Sequence, residues 1–335
     1  MRNPFTFLLS SFTFHLSLFT LVLLLTGCEY KQLCYDHNHG SENNLSLELN
    51  LKLDLNVELE VSEEAHTKIE VPTYMVAAFY DPESGKLLKT DYVGPYGGPL
   101  HVNPGTYNMV VYSFDTEWTQ VRGENDVNTL EAFTSDITAM KLPLLAHFYS
   151  SKEDAPPGPI IYTPDHLLMT QKDVEIPEYS VEKHVITVTA TAATIVETYG
   201  FEVKNITGIE YIASVDAFVT NQARSSFFGR GEKSTDPATV YFPLEVNRTE
   251  GVLKSTFNTF GKLPGESHCY LHLLLTDTEG NPYTITDDIT EKFNNPDHTI
   301  VIEQPIVIPE PQAGGGGIAP TVDPWEEINQ DVPIG

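Results

Sequence analysis

The chain is 335 residues long and carries 19 basic against 47 acidic side chains, a formal charge of −28. An acidic excess of that size repels phosphate backbones and excludes nucleic acid as a partner. Three cysteines, Cys28, Cys34 and Cys269, are too few for a disulfide scaffold, and the length allows two domains of ordinary size.

The chain opens with Arg2, followed by an almost uncharged run rich in Phe and Leu from Phe5 to Leu25. The run ends in Leu25-Thr26-Gly27-Cys28. A positive start, an apolar core and a small residue directly before a cysteine describe a secretory signal ending in a lipobox. The Cys28 thiol then takes a diacylglycerol and becomes the mature N-terminus. Residues 1–27 are thus expected to be a lipoprotein signal peptide and 28–44 a lipid-anchored tether. Fatty acyl burial contributes about 0.8 kcal/mol per CH₂, so a cysteine with more than one chain, palmitate for example, holds firmly to membrane lipid. No later stretch is apolar for long enough to span a bilayer.

The tether contains Cys34, Asp36, His37 and His39. All four are ligand types, but the spacing matches no established zinc pattern, so neither a metal nor another cofactor is expected. A Cys34–Cys269 bridge is open in an oxidising compartment, and sequence does not show that the two meet.

From Leu45 the pattern becomes regular. Leu45, Leu47, Leu49, Leu51, Leu53, Leu55, Val57, Leu59 and Val61 alternate with polar residues without a slip. Period two predicts a β-strand with one buried and one wet face. At its full length the run would extend about 56 Å, far beyond a usual strand, so it must bend between sheets or be only partly a strand. A slip of one residue would turn every leucine to water, so a defined groove must hold it.

Strands are expected at 74–80 and 106–114, with turns at Asp81-Pro82-Glu83-Ser84-Gly85 and Asn103-Pro104-Gly105 and loops at 94–99 and 154–159. A short helix is a weak candidate within 127–140. The segment 174–179, with Pro177, reads as an inter-domain joint. A second β run follows at 181–196, then strands at 208–219, 239–246, 253–260 and 270–276, with a last β-like piece at 299–308. The domains expected are therefore 45–177 and 178–308, each an antiparallel β-sandwich.

Residues 309–335 form a Pro/Gly hinge and tail. After Gly314-Gly315-Gly316-Gly317 come Val322, Trp325, Ile328, Val332 and Ile334 among acidic residues. A glycine hinge suits two readings equally: the tail packs back on its own chain, or it inserts into a neighbouring molecule.

Enzyme signatures are missing: no Gly-x-Ser-x-Gly, no His-Glu-x-x-His and no phosphate loop. Gly229-Arg230-Gly231 is too short for a nucleotide fingerprint. On one strand, His268 and His272 would lie about 13 Å apart, too far to chelate one ion. Asp287-Asp288 and Glu326-Glu327 read as solvated surface. No catalytic residues are assigned, and the chain is read as a non-enzyme. The 16 Tyr and 17 Phe leave glycan binding open, although sandwich strands also consume such residues.

Several pieces together resemble a known family. They are the lipobox, the run Leu33-Cys34-Tyr35-Asp36-His37-Asn38-His39-Gly40, then Phe257-Asn258-Thr259-Phe260-Gly261, Asp287-Asp288-Ile289-Thr290, Ile308-Pro309-Glu310-Pro311, and the closing Val322-Asp323-Pro324-Trp325-Glu326-Glu327-Ile328. In this order the chain resembles the fimbrillin-like lipoproteins of Bacteroidales, the proteins of type V fimbriae, and especially the branch related to anchor subunits. The resemblance implies two tandem transthyretin-like β-sandwich domains with a strand-like tail. It also implies lipid anchoring in the outer membrane, surface exposure and other fimbrial subunits as partners. Stalk subunits of this family lose their first strand to an arginine-directed protease, and a neighbour's C-terminal strand fills the groove. Here no arginine lies between Cys28 and Arg122. Such a protease could not remove the leucine ladder, which favours an anchor or terminating subunit. A cut by another protease, at Lys52 or Lys68 for example, would undo that argument. The alternative reading is a surface glycan-binding or adhesin lipoprotein.

Overall fold

The computed structural model describes residues 46–53, 69–114, 116–137, 158–178, 185–265 and 268–311. Over these the chain is all-β, with only three short 3₁₀ turns. The first part supplies β1 (Ser46–Leu53), β2 (Met75–Tyr80), β3 (Leu87–Val93), β4 (Gly97–His101), β5 (Gly105–Ser113), β6 (Thr119–Arg122), β7 (Glu131–Thr134), β8 (Ile160–Tyr162) and β9 (Leu168–Ile176). The second supplies β10 (Val185–Thr194), β11 (Glu197–Val203), β12 (Ile206–Thr207), β13 (Ile212–Ala223), β14 (Ser225–Phe227), β15 (Glu232–Lys233), β16 (Pro237–Asn247), β17 (Val252–Thr259), β18 (Tyr270–Asp277), β19 (Pro282–Asp288), β20 (Thr299–Ile302) and β21 (Ile306–Val307). No helix among the described residues is long and apolar enough to cross a membrane.

The first sandwich has strand order β3-β2-β5-β9-β10-β1-β4. β9 and β10 join its two layers through a short pairing at Met169–Ala193 and Leu168–Thr194. Alternate residues of β2 and β5 (Met75, Ala77, Phe79, Met109, Val111) face Leu47, Leu49, Leu51, Leu100 and Val188 of the other layer to make one core. Their neighbours on the opposite face (Val76, Ala78, Tyr80, Val110, Tyr112) make a second core, covered by Leu130 and Ala132. β2 is thus buried on both faces, which is why its sequence is a continuous apolar run.

The second sandwich has the order β19-β18-β13-β16-β17-β11-β20. β16 runs through both layers: residues 237–244 pair with β13, and 245–247 with β17. The core between them includes Phe201, Val219, Phe242, Phe257, Leu273 and Ile300. Phe242 and Phe257 stack with ring centroids 4.3 Å apart and planes 7° from parallel.

A third, four-stranded sheet, β15-β14-β7-β6, draws strands from both parts of the chain. β14 pairs with β7 through Ser225–Phe133 and Ser226–Ala132.

Several expectations shift. The ladder is a strand over Ser46–Leu53; residues 54–61 lie outside the described ones. The sheets are mixed, since β1–β10, β11–β20, β12–β21 and β8–β16 run parallel. Over residues 127–137 the candidate helix is a single 3₁₀ turn, Val127–Thr129, capped by the Asp126 side chain and followed after Leu130 by β7; residues 138–140 lie outside the described ones. The expected loop at 94–99 already contains the start of β4, and residues 174–176 of the expected joint close β9. β10, read from sequence as opening the second half, pairs into the first sandwich.

Candidate functional site

The leucine ladder enters the fold as an interior strand. Residues 46–53 pair in parallel with 185–192 of β10, and residues 46–50 pair antiparallel with 101–97 of β4. Leu47, Leu49 and Leu51 are buried while Asn50 is exposed, the alternation expected of a one-sided strand. The amide of Leu51 donates to the Tyr96 carbonyl at 2.9 Å. Gly97 sits at φ +95°, and a Cβ there would fall 1.9 Å from the Leu49 carbonyl oxygen, so only glycine lets β4 approach this closely. β1 therefore combines backbone pairing along both sides with three leucines in the core, the two ingredients of strand addition.

The outer strands of the sheets are the other places where a strand can add. β3 pairs only with β2 within its sheet and carries the exposed side chains Leu88, at a bulge, and Tyr92. Tyr92 and Phe114, both exposed, lie with ring centroids 5.7 Å apart. Exposed apolar side chains on an edge strand favour pairing with another chain, although Lys89 and Asp91 on this strand supply some of the charge that blunts a free edge.

The two sandwiches are joined through Asn258, part of the Phe257–Gly261 motif. Its side chain donates to the Pro164 carbonyl at 2.9 Å and accepts from the Thr198 hydroxyl at 2.9 Å. Its backbone exchanges hydrogen bonds with the Thr163 hydroxyl, 2.8 Å to the amide and 2.9 Å from the carbonyl. His166 lies alongside, Nδ1 2.9 Å from the Thr194 hydroxyl and Nε2 3.2 Å from that of Thr198. Burial holds its pKa below the ordinary imidazole value, against the opposing pull of Asp165. A cavity of about 450 Å³ opens here, lined among others by Glu70, Ser113, Glu117, Asp165, His166 and Asn258. Sequence reasoning singled out Asn258 only as a motif residue. Its partners sit some 60 to 95 positions away, and no local pattern points to them.

Of the residues singled out from sequence, Cys28, the tether ligand types Cys34, Asp36, His37 and His39, and the tail residues Val322, Trp325, Ile328, Val332 and Ile334 lie outside the described residues. Cys269 is fully buried, and burial pushes its thiol pKa up to about 11, so it is not a reactive nucleophile. His268 and His272 go to separate partners, Asp288 and Thr286, at 2.8 and 2.9 Å. Among the described residues no group of three His, Cys, Asp or Glu side chains could hold a metal ion.

A Bacteroides ovatus protein described as an adhesin shares this overall fold. The two chains superpose with a TM-score of 0.57 over 81% of this chain and 94% of the other, at 21% identity. Residues 27–243 match the family described as "domain of unknown function (DUF5119)", and the chain belongs to that family. It is also 24% identical over 307 residues to a B. ovatus protein named as a fimbrium anchoring subunit, Fim4B, covering 79% of this chain and 86% of the relative. The fimbrial anchor protein Mfa2 of Porphyromonas gingivalis is a more distant structural neighbour, with a TM-score of 0.41, 13% identity and coverage of 74% and 83%.

Proposed function

We propose that the chain is a structural, non-enzymatic subunit of a cell-surface fimbrium, fastened to the outer membrane by acylated Cys28 and serving to anchor or terminate the fibre. The observation that carries this reading is β1. It is an integral strand of the first sandwich, with Leu47, Leu49 and Leu51 in the core, and no arginine between Cys28 and Arg122 offers a site for its removal. A subunit that keeps this strand keeps its lipid and leaves no groove for a neighbour there. The relative named as a fimbrium anchoring subunit supports the same role. Contacts to other subunits are then made by strand addition at sheet edges and by the tail, through Val322, Trp325, Ile328, Val332 and Ile334. As to domains, we place the joint of the two sandwiches between Thr194 and Glu197 rather than at 177, because β10 pairs with β1 and β9.

Mass spectrometry of the protein from its native envelope tests the reading. The expected mature form begins at Cys28, carries acyl chains and retains residues 45–61. A form starting beyond Val61 without fatty acid would overturn it.

A second reading, glycan binding by a surface adhesin, is favoured by the exposed ring pair Tyr92 and Phe114. Binding on a glycan array that is lost in Tyr92→Ala would support it.

A further inference from the structure

Beyond the signal the chain has only four arginines, Arg122, Arg224, Arg230 and Arg248. The fold brings three of them, one from near the middle of the first part and two from a single short stretch a hundred residues later, to the small sheet β15-β14-β7-β6. Arg122 ends β6, Arg224 immediately precedes β14, and Arg230 sits in the turn between β14 and β15. Their side chains are 56%, 42% and 38% exposed.

On this sheet Phe133 lies across from Ser225, two residues before Phe227, so the two phenylalanines share a face, opposite to Ala132 of the core. The Arg122 guanidinium lies 4.4 Å from the Phe133 ring centre, and that of Arg230 lies 4.6 Å from Phe227. Each arginine has one acidic partner: Glu131 for Arg122, Asp136 for Arg224 and Glu232 for Arg230. Arg122 meets Glu131 through Nε and Nη2. A guanidinium has five donors, so each keeps some for a second acceptor. Lys233, on β15, lies across from Ser226 on the opposite face and pairs with Glu197, so it is not part of this surface. In a chain of charge −28 the three arginines are an unusual concentration of cations, and arginine with aromatic residues is the composition that dominates binding hot spots.

The segment 318–335 has the complementary chemistry. It holds Asp323, Glu326, Glu327 and Asp331, no basic residue, and Trp325 as a partner for a guanidinium face. It can also reach. Ile308 hydrogen-bonds to Thr207. From there β13 runs its twelve residues from Ile212 to Ala223, next to Arg224, a span of about 40 Å. Residues 309–325 extend to about 56 Å when stretched. We propose that in the free subunit the acidic segment 318–335 docks in cis on the arginine–phenylalanine face of the small sheet. There its carboxylates take the remaining guanidinium donors and Trp325 lies against the face. This docking does not depend on the fimbrial reading. Where both hold, the tail is parked until a neighbouring subunit takes it.

The test uses the full chain and reads Trp325 as the difference between wild type and Trp325→Phe. Acrylamide quenching of Trp325 at low salt should be several-fold weaker than for free indole. It should rise to the free value in the double variant Arg122→Ser, Arg230→Ser, and in 0.5 M salt. Glu326→Lys with Glu327→Lys, which leaves the folded body untouched, should release the tail to the same degree. The protection should be unchanged at tenfold lower protein concentration, as docking within one chain requires. Free-indole quenching in the wild type, protection that survives both the arginine and the glutamate changes, or protection that is lost on dilution would each overturn the proposal. Mass spectrometry of the mature form, which tests the fimbrial reading, is unaffected by any of these outcomes.

Discussion

The two sandwiches are built on different principles. In the second, the β13–β16, β16–β17 and β18–β19 pairs are antiparallel, and β16 carries the chain from one layer to the other. Its core is supplied almost wholly by residues 199–308. The first sandwich instead depends on β1, which comes from one end of the described chain and is held between a parallel partner met much later and a glycine-rich antiparallel one. The contrast separates a unit built mostly from consecutive strands, with only the three-residue β8 added from earlier in the chain, from one completed by a long inserted strand. The stability of the first sandwich therefore hangs on one strand from a distant part of the chain.

Deleting residues 45–53 is the sharpest way to test that contrast. It strips Leu47, Leu49 and Leu51 from a shared core, and the expected outcome is loss of the first sandwich while the second stays resistant to limited proteolysis. A single transition that melts both would break the distinction.

Next in size is Phe257→Ala. Phe257 is buried between Phe242 and Tyr199, and truncating a core phenylalanine costs about 3–5 kcal/mol. Urea denaturation should show this loss in the second sandwich with the first unchanged, unless the Asn258 joint next to it couples the two.

Gly97→Ala should cost about 2 kcal/mol through its positive φ, and more if β4 is pushed away from the Leu49 carbonyl. Hydrogen exchange of the β1 amides should quicken while those of β13 and β18 stay slow.

The smallest effect concerns acid. Asp277 is buried and accepts from the amides of Glu279 and Asn281, the Asn281 side chain and the Tyr283 hydroxyl at 2.8–3.2 Å. Burial alone would raise its pKa, but these donors outweigh it and hold the carboxyl below its ordinary value. A depressed folded pKa means the stabilisation is complete above the unfolded value, about 3.9, and disappears as pH falls through the folded one. Below about pH 4 the wild type should lose stability in the second sandwich more steeply than Asp277→Asn, as read from urea midpoints across the acid range.

Much of the strand content is legible along the chain. Met75–Tyr80, Gly105–Ser113, Val252–Thr259 and Tyr270–Asp277 fall within a residue of the expected segments, because a β-branched or aromatic run between turn residues is a local signal. β3 was hidden by Lys89, Thr90 and Asp91, since an edge strand needs only a few apolar residues. β9 was hidden by Gln171, Lys172 and Asp173, three polar residues in a row that are exposed along one stretch of the strand. β4 reads as a loop because Gly97, Gly98 and Pro99 are turn residues. Only the proximity of the Leu49 carbonyl makes Gly97 a strand residue. The short β14 and β15 had too few residues to show a period.

By itself the sequence determined the all-β class, the one-sided face of the leucine ladder, the cysteine at the end of the first apolar run and the lack of an early arginine. Each is a matter of residue type and short-range spacing. Tertiary structure alone decided that β1 lies between β10 and β4, that the small sheet is shared between distant parts of the chain, and that three of the four later arginines meet there. Alternation marks which residues form a strand, but many edges offer the same backbone hydrogen bonds. The choice among them is made by burying every apolar face at once.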